Sequence, residues 1–300
     1  TMKFQKRFQL SFLFFLEFFI WGGWFVTMGT FLSQQFNASG SQLAQAYETQ
    51  SIGAIIAPFV IGLIADRYFA AQKILGILHL IGAALLFTVS KAESFASFYP
   101  YIFIYMLLYM PTLALANAVA FNQMKDPSKE FASIRVLGSV GWIVAGVTIG
   151  TLAWEGAQTL KYTFYMASGA SAFLGIYSFF LPNTPPRLGS GKKPSLREIL
   201  GLDALAMLKD RGFLFFFIAS ILICIPLAFY YQHANQFLNE VGMQAAASKM
   251  ILGQISEVLF LLLLPLFIKR YGIKNALIVG ILAWGVRYLL FAFGDTGTQT

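Results

Sequence analysis

Met250-Ile-Leu-Gly-Gln-Ile-Ser-Glu-Val-Leu-Phe-Leu-Leu-Leu-Leu-Pro-Leu-Phe-Ile268 is long and apolar enough to cross a bilayer as one helix, at about 1.5 Å per residue against roughly 30 Å of hydrocarbon. Within it stand Gln254 and Glu257. A carboxylate at bilayer depth costs on the order of 3 kcal/mol even on lenient insertion scales. Three residues apart, the two side chains share one helix face. The Leu259 to Leu264 run needs no polar partner and can meet lipid or other helices. The polar face therefore points into a bundle or a wet cavity, and Glu257 is expected to meet a polar solute there and to load and release a proton. Gln254 offers a donor and an acceptor on the same face, which suits neutral hydroxyl- or amide-bearing solutes better than ions.

The rest of the chain agrees with a membrane setting. Of its 300 residues 58% are hydrophobic, 17% aromatic and 11% charged, against roughly 25% charged in a soluble domain. Apolar segments fall at about 8–33, 46–65, 72–90, 99–123, 131–153, 161–181, 213–238, 248–269 and 274–294. The runs are continuous rather than alternating, so they predict nine helices in an all-α polytopic membrane protein and not barrel strands. Lys3, Lys6 and Arg7 precede an apolar run too long for a signal-peptide core, so no cleaved leader is expected. Cys224 is the one cysteine, which permits no intrachain disulfide; lying in an apolar run, it reads as a buried structural thiol.

Basic residues orient the spans. With the N-terminus placed in the cytoplasm, that side collects Lys3, Lys6, Arg7, Arg67, Lys73, Lys125, Lys129, the basic residues from Arg187 to Arg211, Lys269, Arg270 and Lys274. The opposite side holds Lys91, Lys161 and Lys249. The net charge of +8 is thereby a topology signal plus attraction to anionic lipid, and nucleic acid is not an expected partner. The longest polar stretch, Pro182 to Arg211, opens with loop chemistry and continues into Ser195-Leu-Arg-Glu198, a capping-box pattern that predicts a short amphipathic cytoplasmic helix reaching Lys209. It divides the chain into 1–181, a six-helix bundle; 182–212, a linker; and 213–300, three further helices. Asp66-Arg67-Tyr68 after the second span echoes Lys269-Arg270-Tyr271 after the eighth, as repeated halves would. A second half equal to the first would hold six helices, so the given chain is expected to be part of a twelve-span protein.

Other candidates sit within or beside the spans. Arg135, Ser139 and Trp142 recur at i, i+4 and i+7 in the fifth span, giving one stripe with a charge, a hydroxyl and an aromatic plate able to hold a ring and its polar edges. Position alone also allows Arg135 to snorkel to the interface. Tyr230-Tyr-Gln-His-Ala-Asn-Gln236, with Tyr231 among its members, suits a cavity wall or an outer gate, or alternatively an interfacial aromatic belt. Glu17 is a second intramembrane acid and a second candidate for proton coupling; Arg287 is an intramembrane cation whose partner the sequence cannot name. His79 and His233 read as hydrogen-bonded packing residues. Asp66 beside Arg67 can form an ion-pair latch between helices on the cytoplasmic face. No metal-ligand cluster, nucleophile–base pair or phosphate loop occurs, so neither an enzyme nor a cofactor is expected.

Gly62-x-x-x-Asp66-Arg67 resembles the loop signature of the major facilitator superfamily, although Phe69 stands where that signature has glycine and only Lys73 remains of its trailing bases. The chain is more closely similar to the bacterial nucleoside–proton symporter family. That resemblance is carried by Trp21-Gly-Gly-Trp24, Tyr109-Met-Pro-Thr112 with Asn117, Ile134-Arg135, Gly201-Leu-Asp-Ala204, Gln254-Ile-Ser-Glu257 and Arg270-Tyr-Gly-Ile-Lys-Asn275. It implies a twelve-helix major facilitator fold importing nucleosides with protons; a monomer is expected. It also implies substrate contacts at Arg135, Gln254 and Glu257, with Ser139 and Trp142 where the family has a hydroxyl and an aromatic. Ala228 and Tyr231 stand where polar contacts are expected, and Glu17 where glutamine is expected. The alternative is the same scaffold carrying a sugar or another small polar solute.

Overall fold

The computed structural model describes residues 3–60, 69–186 and 202–294. Among these residues the secondary structure is helical throughout, and the helices are α1 (Phe4–Gly22), α2 (Met28–Phe36), α3 (Gly40–Val60), α4 (Ala71–Val89), α5 (Phe95–Gln123), α6 (Pro127–Thr151), α7 (Lys161–Ser178), α8 (Arg211–Glu240) and α9 (Ala246–Phe293), with a 3-10 turn at Leu202–Lys209 between α7 and α8. The 3-10 turn is the described part of the expected amphipathic helix. Ser195 and Glu198, like Asp66 and Arg67 of the expected latch, lie outside the described residues.

Each of the nine expected spans is helical among the described residues, with two departures in how the helices divide. The first span is two helices. α1 ends at Gly22, the Gly23 amide bonds back to the Phe19 carbonyl at 2.9 Å, and the chain turns through Trp24 to Thr27 before α2 begins. Two adjacent glycines each lower helix propensity by about 1 kcal/mol, enough to let the chain turn there. The eighth and ninth spans form one run, α9, whose 48 residues would measure about 72 Å if straight. Gly272 bends it, at φ 80° and ψ 163°, a region essentially open to glycine alone. The arms 246–271 and 273–293 are thus each a bilayer-length helix.

Local signals explain the helix starts. At α5 the Ser94 hydroxyl accepts from the Ser97 amide and the Ser97 hydroxyl from the Ser94 amide, a reciprocal cap. Asp210 caps α8 through the Phe213 amide at 2.8 Å. α4, α5, α8, α9 and the part of α6 at Glu130–Thr151 are each long and apolar enough to cross a membrane.

α1 packs on α6 and α7, α4 lies against α5 and α7, and α3 against α5. Trp24, Tyr105, Phe98 and Phe164 interlock between these helices, with ring centroids 5.6–5.9 Å apart; such pairs add about 0.5–1.5 kcal/mol each beyond burial. α8 and α9 differ. Their buried residues are Tyr230, Ala234 and Asn235, and Ala246, Ala247 and Ile251, all at the end where α8 hands over to α9. There α9 meets α6 and α8 meets α2. Elsewhere they present Phe215, Phe260 and Leu266, each at least two-thirds exposed, as helices bounded by lipid do.

Candidate functional site: a cavity between α1, α3, α6, α8 and α9

Below that junction lies a cavity of about 400 Å³, within the range of roughly 300–1,000 Å³ usual for small-molecule sites. α6 contributes Arg135, Ser139 and Trp142, α8 contributes Tyr231, and α9 contributes Gln254 and Glu257. Every residue expected to touch the solute therefore lines one space. The i, i+4, i+7 spacing on α6 and the i, i+3 spacing on α9 turn each set to the same wall.

Arg135 does not snorkel to an interface. Its guanidinium sits over the Phe18 ring, 3.8 Å from the centroid, with Phe14 at 5.7 Å. A cation held on an aromatic face gains about 0.5–2 kcal/mol, which stiffens the side chain at the cavity wall. Glu257 is exposed on the same cavity, and the charges acting on it are those of Arg135 and Arg287. The acid is thus open to a solute rather than sealed in packing.

Trp142 makes the aromatic wall. Its ring meets Trp21 at 5.7 Å and Tyr231 at 5.8 Å, both edge-on at 69°. Gly22 lets it in: a Cβ there would stand 2.8 Å from the indole. Tyr231 and Gln254 line the cavity together. Trp21 also lines the cavity, and its buried indole Nε1 has no hydrogen-bond partner among the described residues.

Other side chains fall differently. Cys224, expected as a buried structural thiol, is exposed and lines the cavity. An apolar helix carries the same residue types whether a face meets lipid, protein or a hollow, so the run around Cys224 did not distinguish them. Arg287 stands over Tyr230 and Trp284, 4.8 and 4.7 Å from their centroids. Glu17 lies inside the helices around α1, 0% exposed. It pairs with His79 Nε2 at 2.9 Å and accepts from the Thr112 hydroxyl, while His79 Nδ1 contacts the Ser171 hydroxyl at 3.1 Å. His79 thus has the packing role expected of it, with Glu17 as its partner. His233 lies against Phe229, ring centroids 4.7 Å apart and tilted by 50°, and lines a separate hollow. Sequence reasoning did not single out Gln50, Ser51 or Phe18, which complete the cavity; the polar pair Gln50-Ser51 inside the second span was the available signal. Among the described residues no cluster of His, Cys, Asp and Glu could hold a metal.

A family model described as "Nucleoside H+ symporter" matches residues 2–300. The chain belongs to the nucleoside–H+ symporter family. Its members are transporters, not enzymes. The putative nucleoside transporter YegT of Escherichia coli K12 is 43% identical over 96% of this chain and 68% of its own length. The xanthosine permease of the same organism is 32% identical over 97% of this chain and 72% of its own. Crystal structures of the nucleoside transporter NupG superpose with TM-scores of 0.85 and 0.81 at 32% identity, covering 96% of this chain and 74% of theirs. The fold is that of the major facilitator type, in a multi-pass membrane protein.

Proposed function

We propose that the 400 Å³ cavity is the nucleoside site of a proton-coupled importer working by alternating access, and that Glu257 is where solute and proton meet. The supporting observation is convergence: Arg135, Ser139, Trp142, Tyr231, Gln254 and Glu257, from three helices, line one space. Ribose hydroxyls bind Gln254 and Glu257, base edges bind Arg135 and Ser139, and the base stacks on Trp142 with Tyr231 beside it.

The chemistry follows from the charges. With Glu257 ionised, Arg135 and Arg287 balance it. Taking up a proton makes one of its oxygens a donor while the other still accepts, so the neutral carboxyl can hold a hydroxyl both ways while the loaded protein reorients. A proton moving inward across 100 mV gains about 2.3 kcal/mol. At about 1.4 kcal/mol per factor of ten, one proton supports roughly 40-fold accumulation. Glu17 takes part as the second coupling acid. It lies one helical turn below Trp21 and is held by His79 and Thr112, so its charge state reaches the cavity through the α1 wall.

The basic residues support a cytoplasmic N-terminus in an inner membrane, with 1–181 as one bundle, 182–212 as a cytoplasmic linker with an amphipathic helix, and 213–300 as the start of a second bundle; Asp66 with Arg67 is the ion-pair latch between helices on the cytoplasmic face. The protein acts as a monomer among lipids. In this orientation the α8–α9 junction is outermost, and the cavity below it faces the cytoplasm. The deciding experiment is competition for radiolabelled uridine uptake into proteoliposomes by adenosine, xanthosine and hexoses. Nucleosides compete; competition by hexoses alone assigns the site to sugars and refutes the reading.

A further inference from the structure

The loop between α6 and α7 carries an acid that the nucleoside site does not use. Glu155 is 3% exposed, held in a turn whose Ala153 and Gln158 adopt left-handed backbone at φ 53° and 54°, a conformation side chains rarely take without support from their surroundings. Its carboxylate reaches across to the other group of helices. Oε1 accepts from Asn235 Nδ2 at 2.8 Å and Asn239 Nδ2 at 3.1 Å, both on α8. Oε2 accepts from the Ala247 amide at 3.0 Å. That amide is one of the free donors of the first turn of α9, where the helix dipole also favours an anion. Asn235 is 0% exposed, and its Oδ1 accepts from the Thr30 hydroxyl of α2 at 2.6 Å. Both α2 and the α6–α7 loop thus grip α8 through one asparagine.

These bonds lie where α8 and α9 are buried, and the cavity begins directly beneath. Trp142, Tyr231 and Gln254 line a small space shared with Gly146, Ala247 and Ile251 of this seam. Solute entering from the loop end must part the seam.

We propose that Glu155 is the latch of the outer gate, closing α8 and the start of α9 over the cavity and releasing them each time the transporter opens outward. A carboxylate suits this role. Its hydrogen bonds are charge-assisted and directional, yet water can replace them as the seam opens, which buried apolar packing does not allow. The proposal rests on the cavity being the nucleoside site and on the loop end facing outward.

Cys224 on the cavity wall supplies the reporter. The full chain is reconstituted in right-side-out and inverted vesicles and treated with a membrane-impermeant methanethiosulfonate, and modification of the Cys224 peptide is followed by mass spectrometry. Uridine counterflow is measured on the same vesicles. Glu155→Ala is expected to raise the labelling rate from outside roughly tenfold, the shift that losing a charge-assisted bond gives, and to lower it from inside. Glu155→Gln, which keeps the shape without the charge, falls between. Gly150→Val is an independent wedge in the same seam, because a Cβ there overlaps Ser248; it raises outside labelling with Glu155 intact and serves if Glu155→Ala does not fold. Unchanged outside labelling in Glu155→Gln, with Gly150→Val active in the assay, overturns the latch. Wild type that labels faster from outside than inside overturns the outer placement. Absent uridine counterflow in wild type refutes the nucleoside reading alone, since the labelling still judges the gate.

Discussion

Replacing Glu257 by glutamine separates binding from energy coupling. The side chains are nearly isosteric, so the cavity keeps its shape. What disappears is the negative charge that Arg135 and Arg287 act upon, and with it the titration. Glu257 in the loaded protein is neutral, and glutamine likewise offers a donor and an acceptor, so the hydrogen bond to nucleoside stays a neutral one of about 0.5–1.5 kcal/mol and Kd shifts by less than about tenfold. Arg135 stays over Phe18 and is half-buried on the open cavity wall, so losing its counter-charge costs less than in a sealed pair, where removing one partner costs about 3–5 kcal/mol. Coupling is lost altogether: roughly 40-fold accumulation at 100 mV falls to equilibration. The assay is radiolabelled uridine uptake by proteoliposomes under an imposed inside-negative potential and pH gradient, beside counterflow with no gradient. Counterflow persists at raised uridine concentration while gradient-driven accumulation vanishes. Accumulation at the wild-type level in Glu257→Gln would refute the coupling role.

Further outcomes test neighbouring parts of the account. Trp142→Ala removes the stacking plate and one side of the contacts with Trp21 and Tyr231; base–aromatic stacking contributes about 1–3 kcal/mol, so nucleoside Kd rises about 5- to 150-fold in a binding titration while free ribose is little affected. Equal losses for both would remove Trp142 from base recognition. Glu17→Ala strands His79 Nε2, at about 1–3 kcal/mol, while the Thr112 hydroxyl keeps the Tyr109 carbonyl, and lowers Tm in detergent by a few degrees, whereas Glu17→Gln retains part of the network. If the glutamine variant also keeps a wild-type pH profile of uptake, Glu17 is structural and not a coupling acid.

How far these features were legible before the coordinates varies with their physical origin. The spans were readable because hydrocarbon thickness demands about 20 apolar residues wherever a helix crosses. The break at Gly22-Gly23 was not, since glycine pairs also occur inside continuous membrane helices. Gln254 with Glu257, and Arg135 with Ser139 and Trp142, could be recognised because polar groups at bilayer depth need a reason and helical spacing aligns them. Cys224 was misread because an apolar sequence does not report whether its neighbour is protein or a hollow. Glu17 and His79 were each visible, but their pairing across 62 positions was not. Glu155 was invisible in kind: an acid in a loop reads as solvated, and its partners Asn235 and Ala247 lie 80 and 92 positions away.

The central claim is that nucleoside binds between α6, α8 and α9 with its ribose against Glu257. A structure of the protein solved with uridine tests this most directly. The account predicts the base stacked on Trp142 and the ribose hydroxyls within hydrogen-bonding distance of Gln254 and Glu257. Uridine bound elsewhere, with this cavity holding only water, would contradict it.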